Sequence, residues 1–129
     1  MRFTLTGKPI TKKNHQRIVN AGGRMRIIQA EAYLKYRDAC KWQINVLRMN
    51  SMRIASPVNL KCVYYMPTRH RVDLVNLLEA TCDILVDAGV LSDDNCKIIV
   101  SHDGSRVLYD KDRPRVEIEI TPANVEVTS

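Results

Sequence analysis

The chain has 129 residues, of which 45% are hydrophobic, and it carries a formal net charge of +6 at pH 7. This length and composition predict one globular domain with a single core. No apolar run approaches the length of a membrane span and the start is no signal peptide, so we expect a cytoplasmic protein without a membrane partner.

The first part of the chain combines two short alternating stretches with an irregular basic segment. Residues 3–6 alternate and predict a strand, and residues 24–29 alternate partly and indicate a second strand. Residues 8–23 have no clean period, and we interpret them as a basic loop or arm. Seven basic residues precede the first acid, Glu31: Arg2, Lys8, Lys12, Lys13, Arg17, Arg24 and Arg26. A segment of one sign favours a phosphate-bearing partner over a purely solubilising surface.

Residues 30 to about 49 predict the first long helix, because apolar side chains recur there at intervals of three and four. Trp42 lies off this apolar stripe, and we expect it to pack under the basic arm rather than to face a partner.

The second half of the chain predicts a second helix, from Asp73 to Gly89, and three more strands. These strands cover residues 57–65, 97–101 and 115–121. Residues 106–112 are charged and indicate a hairpin connection, and residues 122–129 predict a tail. We therefore expect an α+β fold in a single domain, with a mixed β-sheet of about five strands and two main helices packed on it.

Acidic residues mark both ends of the second helix. Asp73 suits the N-cap, Gly89 suits the left-handed C′ position, and Asp93 and Asp94 follow directly. An N-cap aspartate is usually only a cap, and acids on the outer helix face, such as Asp83, are usually solvated. Asp73 and Asp94 nevertheless lie at element ends, where functional residues concentrate.

Several spaced motifs of this region resemble the RusA-type Holliday-junction resolvases. They are Tyr65-Met66-Pro67, Arg69-His70-Arg71, Asp73-Leu74, Asn76-Leu77, Asp83 and Gly89-Val90-Leu91-Ser92-Asp93-Asp94. The resemblance also takes in residues 9–14, 33–38 and 114–120, and so covers most of the chain. It implies a small, dimeric, magnesium-dependent endonuclease of the kind common in phages and prophages.

The resemblance also implies a set of site residues. In the family pattern Asp-x-Asp-Asn-Leu-x-Lys, this chain matches Asp73 and Asn76 but has Val75 and Glu79 in place of the second Asp and the Lys. The later catalytic aspartate matches Asp94. We therefore predict Asp73, Asp94 and Asn76 as catalytic residues.

The predicted metal ligands are Asp73, Asp94 and Asp93. They would hold Mg²⁺, with Mn²⁺ as an accepted substitute, since two carboxylates and an amide oxygen suit a hard cation. Glu79 and Asp83 could replace the missing acid at position 75, but we favour a solvated helix face for that pair.

The expected substrate is DNA in the form of four-way junctions. The predicted DNA-binding residues are Lys12, Lys13, Arg17, Arg69, His70 and Arg71. We expect a homodimer without a small-molecule cofactor, because two related sites can nick a junction symmetrically. Two alternatives are a catalytically weak or inactive DNA-binding protein of the same fold and, more distantly, a basic phage protein that binds RNA.

Overall fold

A computed structural model describes residues 1–12 and 31–123 with their side chains, and residues 16–21 and 24–29 through their backbone. Its elements are β1 Arg2–Thr6, β2 Gln16–Ala21, β3 Arg24–Gln29, α1 Glu31–Val46, β4 Val58–Met66, α2 Leu74–Asp87, β5 Ile99–Ser101, β6 Arg106–Tyr109 and β7 Arg115–Pro122. A mixed five-stranded sheet and two helices confirm the predicted α+β class. Neither helix is long and apolar enough to cross a membrane.

Strand β4 is the centre of the sheet. One edge of β4 pairs antiparallel with β7, which pairs in turn with β1. The other edge is shared by two short parallel strands: β5 pairs with the start of β4 and β6 with its end. Between them, Asn59 Oδ1 accepts hydrogen bonds from Ser101 Oγ and the Asp103 amide at 2.5 and 2.8 Å, respectively. A side chain of β4 therefore helps to connect the sheet where the strand ladder is interrupted.

The core lies between one face of this sheet and the two helices. The side chains of β4 alternate strictly along the strand, so that Leu60, Cys62 and Tyr64 are buried. The Tyr64 hydroxyl lies 2.6 Å from Thr81 Oγ1 of α2, and Thr81 donates to the Leu77 carbonyl at 2.9 Å. Because each buried hydroxyl has a partner, α2 packs on β4 without an orphan polar group at this contact.

The C-terminal end of α2 is held by backbone hydrogen bonds to the segment after α1. Gly89 has φ of 87° and follows the C-cap, which confirms its predicted C′ position. The amides of Arg53 and Ile54 donate to the carbonyls of Gly89 and Val90, and the Ser92 amide donates back to the Ile54 carbonyl. These bonds fix the course of the chain as it enters the acidic turn at residues 93–94.

Two predicted irregular segments contain strands. The interpretation of residues 8–23 as a loop is wrong for Gln16–Ala21, which form β2 and pair antiparallel with β3. The predicted hairpin connection at residues 106–112 is wrong for Arg106–Tyr109, which form β6. In both cases pairing with a partner strand, not alternation within the segment, determines the structure. Pro122 belongs to β7, and the rest of the predicted tail beyond Ala123 lies outside the described residues.

Two side-chain predictions on the helices are also wrong. Trp42 is 67% exposed rather than packed under the arm. In a helix of 100° per residue Ala80 falls on the side of Asp73, Glu79 and Asp83, where the sequence predicts a polar face, but it is buried, because the helix contacts the core over a wider arc than its apolar stripe.

Candidate active site

Asp73 stands at the entrance of α2 with its carboxylate not engaged in capping. Its backbone is extended, with φ of −86° and ψ of 121°, which confirms the predicted N-cap position. Yet within the described part of the chain its side chain makes no cap hydrogen bond. Instead Asn76 Nδ2 donates to Asp73 Oδ2 at 3.3 Å. The carboxylate of Asp73 is exposed and is oriented by Asn76, so it is available to bind a ligand.

The two aspartates of the acidic turn after α2 have different structural roles. Asp93 Oδ1 accepts from the Asp94 amide at 2.7 Å, and Asp93 Oδ2 accepts from Asn95 Nδ2 at 3.1 Å. The hydrogen bond from the Asp94 amide is the main reason that the pKa of Asp93 is lowered. Asp93 therefore shapes the turn, while the neighbouring Asp94 is presented at the surface.

The fold brings this acidic turn beside α2. Burial raises the pKa of the Cys82 thiol to about 12, and the charge of Asp94 adds to the effect, followed by those of Asp83 and Glu79. A carboxylate that is distant in sequence thus acts on the same part of the helix as two acids of the helix itself. Cys82 carries a proton at neutral pH and is a core residue, as are Cys40 and Cys62.

The acids on the outer face of α2 have basic partners. Lys12, which follows β1, forms an ion pair with Asp83, and the hydrogen bond from this pair is the main reason that the pKa of Lys12 is raised. Lys41 of α1 pairs with Asp87 at 2.8 Å. Lys12 was predicted to contact DNA, but in this structure its ammonium is directed to Asp83.

The basic trio before α2 lies at the surface beside Asp73. Arg69 stacks over the ring of Tyr109 with 4.2 Å between its Cζ and the ring centroid. His70 and Arg71 are exposed. The other two predicted DNA-binding residues, Lys13 and Arg17, have side chains outside the described residues. The structure thus brings Arg69, His70 and Arg71 to the same end of α2 as the candidate catalytic aspartate.

The exposed carboxylates of Asp73 and Asp94 are oxygen donors of the kind that a hard cation prefers. Within the described ranges there is no group of three or more His, Cys, Asp or Glu side chains that could hold a metal. Asp73 and Asp94 each offer an exposed carboxylate, and Mg²⁺ is commonly held by one or two carboxylates with water completing the octahedron. Val75 is 72% exposed, so the family carboxylate missing at this position would face solvent and not the core.

Sequence reasoning missed three contributors to this region. The partnership of Lys12 with Asp83 joins residues far apart in the chain, and no spacing rule connects them. Lys8 was counted only among the basic residues. Thr11 was noted only as part of the motif at residues 9–14, because nothing in the sequence indicates that its hydroxyl is buried.

A family model described as endodeoxyribonuclease RusA matches residues 6–121, which include both acidic ends of α2 and the basic trio. The match confirms the resemblance inferred from the spaced motifs. A comparison with curated proteins gives no match.

Proposed function

We propose that this chain, which belongs to the RusA family of endodeoxyribonucleases, resolves Holliday junctions by paired, Mg²⁺-dependent nicks. The family is one of junction-resolving endonucleases that generally depend on a divalent metal. The observation that carries the finer proposal is Asp73, an N-cap carboxylate that is exposed, oriented by Asn76 and not used to cap its helix. An acid that serves no local structural purpose at an element end favours a role in binding or catalysis.

The proposed reaction is hydrolysis of a phosphodiester by water. Asp73 and Asp94 would hold the metal, which when bound lowers the pKa of a water ligand and neutralises charge on the phosphate. Asn76 donates to Asp73 Oδ2 and so restricts the rotation of that carboxylate. The Asp93 carboxylate accepts a hydrogen bond from the Asp94 amide and so stabilises the turn that exposes the Asp94 side chain. In this assignment Asp93 is a positioning residue rather than a ligand.

The proposed assembly is a homodimer acting in DNA recombination and repair. A two-fold dimer places two identical sites in the relation that symmetric nicking of a four-way junction requires. Arg69 and Arg71 lie at the Asp73 end of α2 and would face the phosphates of the junction arms. The proposal needs no small-molecule cofactor beyond the metal, for which Mn²⁺ should substitute.

The test is nicking of a synthetic four-way junction, beside a linear duplex, with and without Mg²⁺. Wild-type protein should nick the junction at symmetric positions only when Mg²⁺ is present. Asp94→Asn should lower the nicking rate by at least about 100-fold while junction binding persists, because only the charge is lost. Asp87→Asn removes the same charge from the last residue of α2, where the carboxylate is paired with Lys41, and should cleave like the wild type.

Val75→Asp restores the family carboxylate at an exposed position. It should fold normally and either raise the nicking rate or lower the Mg²⁺ concentration needed. Cleavage that survives Asp94→Asn would place the site on other residues. Tight junction binding without cleavage by any of these proteins would favour the alternative suggested by Val75 and Glu79, a junction-binding protein without nuclease activity.

A further inference from the structure

A small cavity of about 130 Å³ lies between residues 8–11, which follow β1, and residues 66–72, which lead to α2. Its polar lining consists of two cationic residues, a histidine and two threonines: Lys8, Arg71, His70, Thr11 and Thr68. All of its lining residues belong to the described part of the chain, and none of them is acidic. This composition suits an anion.

Thr11, one of the lining residues, supplies a second and independent observation that favours a ligand. It is only 3% exposed, and its Oγ1 is buried without a hydrogen-bond partner among the described residues. A buried hydroxyl without a partner costs free energy, and native proteins leave few such groups without a reason. The other buried threonine, Thr81, has two partners, so orphan hydroxyls are not a general property of this core.

The charges around the cavity also favour an anionic ligand. Neither Lys8 nor Arg71 forms a salt bridge with a described residue, so both cations are available. Val72 is followed by Asp73, and the cavity therefore lies beside the N-terminal end of α2, where the helix dipole favours negative charge. Thr68 Oγ1 accepts from the His70 amide at 3.5 Å, a long hydrogen bond that links two residues of the lining.

We propose that this cavity binds one phosphate of the DNA backbone, an inference that rests on the proposed function. Lys8 and Arg71 pair with the phosphate oxygens, and the Thr11 hydroxyl gains its missing partner by donating to one of them. Because the lining runs directly into Asp73, the bound phosphate fixes the register of the DNA strand relative to the candidate active site. Phosphate contacts of this kind position a protein on DNA without reading its sequence.

The test is the affinity of the full-length protein for a four-way junction, measured by fluorescence anisotropy without Mg²⁺ over a series of KCl concentrations. Lys8→Ala should weaken binding and reduce the slope of log affinity against log salt by about one, because one phosphate contact is lost. Thr11→Val should weaken binding by about tenfold with little change of slope, because it removes a hydrogen bond to a charged group and not a charge. Thr11→Ser should restore the affinity.

Lys35→Ala is the matched control. It removes an equally positive side chain that is 77% exposed on α1 and paired with Glu31, and it should change neither affinity nor slope. Thermal unfolding provides a second measurement with a simpler probe. Inorganic phosphate should raise the melting temperature of wild-type protein more than that of Lys8→Ala, since a ligand that binds only the folded state stabilises it.

The outcomes separate the cavity from the proposed function. If wild-type protein nicks junctions while Lys8→Ala and Thr11→Val bind them with wild-type affinity and slope, the cavity proposal is overturned and the nuclease proposal stands. If neither wild-type protein nor any variant nicks junctions while wild-type protein binds them and the two cavity variants bind weakly, the nuclease proposal is overturned and the cavity proposal stands. Stabilisation by phosphate without any binding of DNA would overturn the assignment of the cavity to DNA.

Discussion

Helix α2 follows an exposed N-cap residue, Asp73, and leads at its C-terminal end into a buried glycine, Gly89. At its C-terminal end Ile84, Leu85 and Ala88 are buried, and backbone hydrogen bonds from the segment after α1 hold the turn. At its N-terminal end Val75 is exposed and the N-cap carboxylate makes no cap hydrogen bond. One helix therefore contributes stability through its C-terminal end and leaves the Asp73 end available for chemistry. Binding and catalytic residues usually concentrate at such less constrained element ends.

The largest expected effect on stability is that of Gly89→Ala. Gly89 has φ of 87°, and an added Cβ would lie 2.1 Å from the backbone oxygen of Asn50. The left-handed conformation and the collision should together lower the free energy of unfolding by about 4 kcal/mol or more. Gly104→Ala is the control, because Gly104 has φ of 90° but its Cβ would meet only the flexible Lys61 side chain, at 3.0 Å.

For Gly104→Ala we expect a loss of about 1–2 kcal/mol, the cost of the left-handed conformation alone. Urea unfolding of both variants measures the difference. Equal losses would mean that the close approach of Asn50 does not anchor this end of α2.

The next effect compares one apolar residue from each end of the helix. Leu85 is fully buried, and Leu85→Ala should cost about 2–5 kcal/mol through lost burial and the cavity left behind. Val75→Ala should change stability by no more than about 0.5 kcal/mol, since the side chain is exposed. Chemical denaturation again provides the measurement. A large loss for Val75→Ala would show that the N-terminal end contributes to stability after all.

The smallest effect concerns charge at the C-terminal end, where an acid opposes the helix dipole. The hydrogen bond from Lys41 lowers the pKa of Asp87 below its ordinary value of 3.8. Because folding lowers this pKa, the stabilisation is complete above pH 3.8 and is lost as the pH falls through the folded value. Both side chains are partly exposed, so solvent screening limits the gain to about 0.2–0.5 kcal/mol.

The measurement is the free energy of unfolding of four proteins at pH 6 and at pH 3: wild type, Asp87→Asn, Lys41→Met and the double variant. These four values give the coupling between the two positions. The coupling between the two positions should be present at pH 6 and should shrink towards zero in acid. A coupling that grows in acid would contradict the ion pair.

Features that depend on local residue type could be predicted from the sequence, and features that depend on the packing of distant segments could not. Asp73 at the N-cap and Gly89 at C′ were predictable, because capping and left-handed turns restrict residue type locally. Strand β6 was not predictable, because it lies at the sheet edge with little burial on either face and so shows no alternation of apolar and polar residues. The candidate aspartates were found through spaced motifs. The pairing of Lys12 with Asp83 and the orphan hydroxyl of Thr11 exist only once distant segments have packed.

The position of β7 between β1 and β4 has a consequence for how the chain matures. The Met1 amino group donates to the Ile120 carbonyl across 119 positions, and among the described residues β1 pairs only with β7. During synthesis β1 therefore cannot form its backbone hydrogen bonds with β7 until residues 115–122 have left the ribosome. Such long-range pairing slows folding. A chain interrupted before residue 115 would also lack β7, the strand that pairs with both β1 and β4. We therefore expect such incomplete chains not to fold stably.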